Sequence, residues 1–359
     1  MKTVRSLALL VTAWLAVVQC PEAFAARADS DPLTFSGAGG VVFELAPGPR
    51  GAVLTARAGQ KQLFRRELDG GLPLTLLGVD LAGDGKAEAL ATVEEPGSGG
   101  YRHHYLLDET GTSLLWDSGT VAGGAAAVDR TGRQLTLVRL LKGLRPSGDY
   151  PVIERLTMEE GKPVLTPQPG PKPENGWQSL TAGLDALARG ALAQGVSLLT
   201  RAVDSPEGAG AELGPESRHA LARALLASGE AAKARAILVG LQKRFPASLL
   251  AVEAGRTLAL FDETYRSKHV QLIALAKAEL AARGARWEQS LEASHEVLKG
   301  PSVAGLTDRA HFLLGQASEE LGKKREAVHE YQIVVLYFPD SPMRKASQEA
   351  ITRLETERR

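Results

Sequence analysis

Two histidine-glutamate pairs, His295-Glu296 and His329-Glu330, have the residue types to do chemistry, because a His-Glu pair on a helix opens the zinc-protease motif. That motif needs a second histidine one turn further on, and Lys299 and Ile333 stand there instead. His103 and His104 fall in an alternating stretch, Tyr101 to Leu107, where neighbours project to opposite faces of a strand, so their imidazoles do not converge on one ion. The sequence has no Gly-x-Ser-x-Gly elbow and no phosphate loop ending in Lys-Ser or Lys-Thr. Gly37-Ala38-Gly39-Gly40 precedes a strand pattern and Gly208-x-Gly210 lies in a loop pattern, so neither opens a nucleotide-binding helix. Aromatic residues are 5% of the chain, too few for a sugar-stacking platform. The expectation is a protein that binds and does not catalyse.

Charge narrows what it binds. Lys and Arg total 42 against 42 Asp and Glu, with no extended basic face, which argues against nucleic acid or an anionic membrane as the main ligand. Lys2 and Arg5 precede an apolar run from Leu7 to Val18, too short to span a bilayer, and Ala23-Phe24-Ala25 follows as a small-x-small cleavage site. Residues 1–25 read as a signal peptide, and the mature chain is expected in the periplasm or secreted, with no transmembrane segment. Gln19 before Cys20 is not the small residue that lipid attachment requires, so a lipoprotein is disfavoured. Cys20 is the single cysteine, and cleavage after Ala25 would leave none for disulfides, thiol catalysis or a cysteine zinc site.

The elements that must carry a binding surface are clearest near the C-terminus. Between Asp308 and Ser341, Gly315 and Ala327 allow two helices to approach, Gly322 breaks the first and Pro339 ends the second, with Leu314 and Tyr331 as apolar anchors. This segment resembles the tetratricopeptide repeat (TPR), with departures at His311, Ser318 and Val334. The turn-glycine to proline spacing of 17 recurs from Gly229 to Pro246 and from Gly284 to Pro301, and as 16 from Gly190 to Pro206. Leu221, Ala222 and Ala234 occupy the expected slots of the second copy, the third has a one-residue slip around Trp287 to Leu291, and Gly195 supplies the small residue of the first. Leu249 to Lys268 are extra, able to extend a helix or form one more. Ser341-Pro342 and a stripe of Ala346, Ala350, Ile351 and Leu354 predict a capping helix. The tail from His311 to Leu354, with its Tyr331 to Pro342 run, resembles TPR modules of bacterial envelope proteins, those of the β-barrel assembly lipoprotein and the Tol–Pal-associated coordinator, and implies a cell-envelope scaffold.

About 330 mature residues exceed one core, so two domains are expected. A proline-rich linker, 166–176, divides an all-β repeat domain over 32–165 from an all-α TPR-like solenoid over 177–359. The β half alternates short apolar segments with Gly and Asp turns: 41–45, 52–56, 62–67, 74–79, 87–93, 101–107, 113–116, 134–141, 150–158 and 163–165. Hairpin turns at Gly59, Gly111 and Gly161 fall 52 and 50 residues apart, giving units of strand, loop, strand, Gly turn, strand. Between units lie Asp80 to Glu88 and, 49 residues later, Asp129-Arg130-Thr131-Gly132-Arg133. Asp80 to Glu88 resembles the calcium loop of FG-GAP and VCBS repeats. The resemblance implies ligands from Asp80, Asp84, Glu88 and the Lys86 carbonyl, with Ala82 lacking an oxygen that the family's pattern supplies, so the domain holds at most one calcium ion. A tight turn kept for its shape, with Gly83 and Gly85 supplying the dihedrals, is the other reading. Three units are too few for a full ring, which leaves a compact sandwich or barrel, the preferred form, or an incomplete propeller.

The TPR resemblance implies that first helices line a groove. The residues it places there are Glu216, His219, Arg223, Leu226 and Ala227 of the second repeat and Arg309, Phe312, Gln316, Glu319 and Glu320 of the last. The mixed polarity suits an extended or helical peptide, so the leading expectation is an exported, non-enzymatic scaffold for a protein partner in the cell envelope. The alternatives are a calcium-tuned surface-binding protein using the β domain and an accessory subunit of an envelope enzyme or transport complex.

Overall fold

The computed structural model describes residues 31–69, 71–95, 100–119, 121–122, 125–128, 134–267 and 269–356. Residues 1–25, expected to be a signal peptide, and the segment 129–133 lie outside them. The chain forms two compact units: one comprises the chain to Leu140 with Pro151–Gly170, the other Leu141–Tyr150 with Pro171–Arg359.

The first unit is all β. Its strands are β1 (Leu33–Ser36), β2 (Val41–Gly48), β3 (Gly51–Ala58), β4 (Lys61–Asp69), β5 (Leu72–Val79), β6 (Glu88–Glu94), β7 (Tyr101–Leu107), β8 (Leu114–Asp117), β9 (Val121–Ala122), β10 (Ala125–Val128), β11 (Leu135–Leu141), β12 (Tyr150–Glu159) and β13 (Lys162–Gln168). They make three sheets in chain order, β1-β2-β3-β4, β5-β6-β7-β8 with β9 beside β7, and β10-β11-β12-β13. None closes on itself among the described residues. Gly59, Gly111 and Gly161 join the third and fourth strands of the three sheets, each with positive φ. The Glu160-Gly161 pair, φ 50° and 76°, is the two-residue turn whose twist suits a hairpin.

The middle sheet is buried on both faces, and β6 is buried at every position but its last. Ala89, Ala91 and Val93 pack with Phe43, Leu45 and Leu54 of the first sheet, whereas Leu90 and Leu106 pack with Leu135, Leu137 and Leu156 of the third. Two expectations are corrected here. The Asp80–Glu88 loop does not separate units: β5 hydrogen-bonds to β6, so the loop joins two strands of the same sheet. The linker is shorter than its prolines suggest, since Thr166, Pro167 and Gln168 pair with Arg155, Glu154 and Ile153. Proline is tolerated there because β13 ends the strand order of its sheet, where an amide hydrogen is not required on the outer side.

The second unit is helical: α1 (Gly176–Ala188), α2 (Leu192–Asp204), α3 (Leu213–Ala227), α4 (Ala231–Arg244), α5 (Leu249–Glu263), α6 (Val270–Arg283), α7 (Trp287–Leu298), α8 (Thr307–Glu320), α9 (Lys324–Tyr337) and α10 (Arg344–Thr356). Asn175 caps α1 by accepting from the Gln178 amide at 2.9 Å. Antiparallel hairpins α1/α2, α3/α4, α6/α7 and α8/α9 are the four repeats. Gly190, Gly229 and Gly322 end the first helices of three of them with φ of 83°, 83° and 75°. In the remaining hairpin the left-handed residue is Ala285, φ 52°, and not Gly284. Its amide bonds to the Ala282 carbonyl and the next amide, of Arg286, to Ala281, the pairing that Gly229 and Glu230 make to Leu226 and Leu225. The one-residue slip of the third repeat is thus a shifted helix terminus.

Of the extra residues, Leu249–Glu263 form a separate helix, α5, packed on α4 and α3, and the chain then returns so that α6 touches α1, α3, α7 and α8. One apolar core runs from Leu180 to Leu313, and a second joins Ala327, Val328 and Tyr331 to Ala350, Ile351 and Leu354 of α10. The capping stripe differs from expectation at one place: Ser347 is buried and Ala346 exposed.

The close approach of α8 and α9 is set by Gly315, where an added Cβ would lie 2.5 Å from Cε1 of Tyr331, itself 2% exposed. Gly315→Ala is expected to cost about 2 kcal/mol, because the buried ring cannot swing clear. Urea unfolding followed by helical circular dichroism measures it, and an unchanged midpoint would show that the two helices separate freely.

Candidate functional site

Helices α3, α6 and α8 are neighbours, and each turns one stripe of side chains to a common face. Glu216, His219 and Arg223 lie at i, i+3 and i+7 on α3, and Arg309, Phe312 and Gln316 at the same spacing on α8. The structure joins the two stripes through Glu279 of α6. One oxygen of its carboxylate accepts from Nη2 of Arg223 and the other from Nη2 of Arg309. The three side chains are 15%, 14% and 27% exposed, so these charge-assisted bonds are largely shielded from water. Nε of Arg223 is buried with no hydrogen-bond partner. Arg283, one turn beyond Glu279, is exposed and within electrostatic reach of Arg223, Glu279, Arg309 and Glu253. Burial, with Arg223 beside it, pushes the His219 imidazole down to about 4, so it is neutral near pH 7. Glu216 is exposed.

Towards the C-terminus the same face becomes a groove of about 440 Å³, lined by Phe312, Gln316, Glu319 and Glu320 of α8 together with Trp287 and Arg353. Phe312 packs on Tyr331 with ring centroids 5.8 Å apart. Glu319 is engaged within the fold: it accepts from the Tyr331 hydroxyl at 3.1 Å and pairs with Arg353 of α10. Burial first, and then the Glu319 charge, raise the Tyr331 phenol above its ordinary value. Gln316 is half-buried and Glu320 exposed. Leu226 and Ala227, placed on this face by the repeat register, are buried in the core instead. Glu279 was not legible as a site residue, because the slipped register of the third repeat hides which α6 positions face the stripe.

Elsewhere the acidic loop folds as a capped turn. Asp80 accepts from the Asp84 and Gly85 amides, both at 3.1 Å, and Asp84 accepts from the Lys86 amide at 2.9 Å with the Lys86 ammonium 3.6 Å away. Glu88 is buried, accepts from the Leu81 amide at 3.0 Å, and has its carboxyl pKa raised by burial. With Ala82 offering no side-chain oxygen and Asp84 engaged by an ammonium, the loop as folded does not fit a calcium cage. Among the described residues no group of three or more His, Cys, Asp or Glu is arranged to hold a metal ion. Of the histidine-glutamate pairs, Glu330 is taken up by Nδ1 of His311 at 2.7 Å. His104 is buried against Thr92, 3.0 Å from its hydroxyl, while His103 is only half-buried.

Residues 309–341 match the family model described as Tetratricopeptide repeat. Two solved structures are similar to the chain. One is a point mutant of MamA, with 14% identity over 51% of this chain and 87% of that one and a TM-score of 0.21. The other, MamA 41-end from Desulfovibrio magneticus RS-1, has 18% identity over 52% of this chain and 96% of that one, also at 0.21. No curated protein matches. The matched repeat coincides with the α8/α9 hairpin and the turn that follows it, so the chain carries a tetratricopeptide repeat, a module whose stacked helices make surfaces for protein interaction.

Proposed function

We propose that this chain is an exported, non-enzymatic scaffold that docks a protein partner on the face formed by α3, α6 and α8. The observation that carries the reading is the shared Glu279 carboxylate, which makes one continuous surface of stripes from separate repeats. Export rests on the leader pattern of Lys2 to Ala25, and the cell-envelope setting on that leader and on the Tyr331 to Pro342 run. No helix among the described residues is long and apolar enough to cross a membrane. The β domain serves as a second docking module.

The full chain and a Gln316→Trp variant, which fills the groove without changing its charge, are cross-linked in the cells of origin and purified. The expected result is an envelope protein recovered with the native chain and reduced about tenfold with the variant, a loss of roughly 1.4 kcal/mol of binding. Equal recovery by two chains of equal thermal stability would remove the groove from the binding surface.

A further inference from the structure

Arginines gather at the centre of this face. Three guanidiniums, Arg223 on α3, Arg283 on α6 and Arg309 on α8, surround Glu279, and Glu253 on α5 is the other carboxylate within electrostatic reach. His219 adds no charge near pH 7, because burial and Arg223 hold it down at about 4. The charges that act most strongly on Arg283 are Arg223 and Arg309 on one side and Glu279 and Glu253 on the other. Both Glu279 oxygens are already used, one by Arg223 and one by Arg309. Arg283 forms no ion pair with any described residue, and Nε of Arg223 is buried with no partner. A guanidinium with donors left over takes up a further anion, and its planar fork fits a carboxylate best.

We propose that Arg223, Arg283 and Arg309 form a carboxylate-binding centre, and that the partner segment docking on this face is acidic, presenting Asp or Glu side chains. The inference rests on the reading of this face as the docking surface and adds the chemistry of what docks. Glu279 shows the geometry on a small scale: one carboxylate already bridges guanidiniums from two repeats. An incoming acidic side chain takes the exposed Arg283, while Glu279 holds Arg223 and Arg309 in place.

Fluorescence anisotropy of the full-length protein with labelled twelve-residue peptides of alternating Ala-Glu, Ala-Gln and Ala-Lys tests the idea. The Ala-Glu peptide is expected to bind at least about tenfold more tightly than the other two, and to weaken as salt rises. Arg283→Glu, an exposed change that leaves the core untouched, should weaken it about tenfold or more. Equal binding of Ala-Glu and Ala-Gln peptides, no binding of the Ala-Glu peptide, or indifference to Arg283→Glu would overturn the acidic-segment proposal. The docking reading is judged separately: if the cross-linked partner is lost with the Gln316→Trp variant while Arg283→Glu retains it, the face binds and the proposed chemistry is wrong.

Discussion

Replacing Gly284 with alanine should destabilise the helical unit by about 3 kcal/mol, at the upper end of overpacking costs. The backbone gives no warning, since Gly284 has φ −94°, which alanine adopts without strain. Its missing Cβ is what matters: an added one would stand 1.9 Å from the Ala188 carbonyl oxygen and 2.8 Å from its carbon, both backbone atoms at the end of α1. Arg286 reinforces the same contact, donating Nε to the Ala188 carbonyl at 3.1 Å and Nη2 to Leu187 at 3.2 Å. Relieving the clash means pushing α6 away from α1 and loosening those bonds. Gly240 in α4 is the control, because nothing lies within 4 Å of the Cβ it would gain. Gly240→Ala should stabilise by about 0.5 to 1 kcal/mol through helix propensity and a less flexible unfolded chain. Urea midpoints of the two variants should therefore move in opposite directions, and a Gly284→Ala protein as stable as the native one would mean that α1 and α6 are not in contact.

Acid should weaken the β unit through one histidine. Burial, with Arg102 and His103 adding to it, lowers the His104 pKa from 6.5 to about 4. Between those two values the unfolded chain binds a proton that the folded one refuses, so the contribution is fully present above pH 6.5 and is lost as pH falls, levelling off below about 4. The difference corresponds to about 3 kcal/mol across that window. Thr92, 3.0 Å from Nδ1, suits the neutral ring, and the residue is 2% exposed, so little water is present to solvate a charge. His104→Gln removes the titration. Unfolding midpoints of the β signal, recorded from pH 7 to pH 4, should fall more steeply for the native protein than for the variant. Parallel curves would show that the imidazole titrates normally.

Much of the architecture was legible because it depends on near neighbours along the chain. Gly315, Ala327 and Tyr331 read as a helix hairpin since contacts at three and four residues and a Gly terminus define one locally. The strand pattern of the β half was legible by alternation, although β1, β9 and β10, with 4, 2 and 4 residues, carry too little pattern to stand out. The grouping into sheets was not, because Asp80 to Glu88 looks like a boundary in sequence and only the pairing of β5 with β6 makes it an internal turn. Ala285 escaped notice for a related reason: a glycine stood one place before it, and its left-handed conformation is sustained by the same terminal hydrogen bonds that glycine usually serves.

The candidate face divides in the same way. Arg223 and Arg309 could be placed on it from repeat spacing, because a helical stripe follows from periodicity within a single helix. Glu319 could be placed there as well, but its engagement by Tyr331 and Arg353 depends on where α9 and α10 pack. The sequence by itself determined an all-β half, a helical half built of hairpins, and the stripes those hairpins present, since periods of two and 3.6 residues are properties of the local backbone. Only the tertiary structure decided that α6 returns to α1 and α3, and that Glu279 bridges guanidiniums 56 residues before it and 30 after it. Pairings at such separations are set by how helices stack, and no local pattern of residue types encodes which carboxylate will stand between two distant arginines.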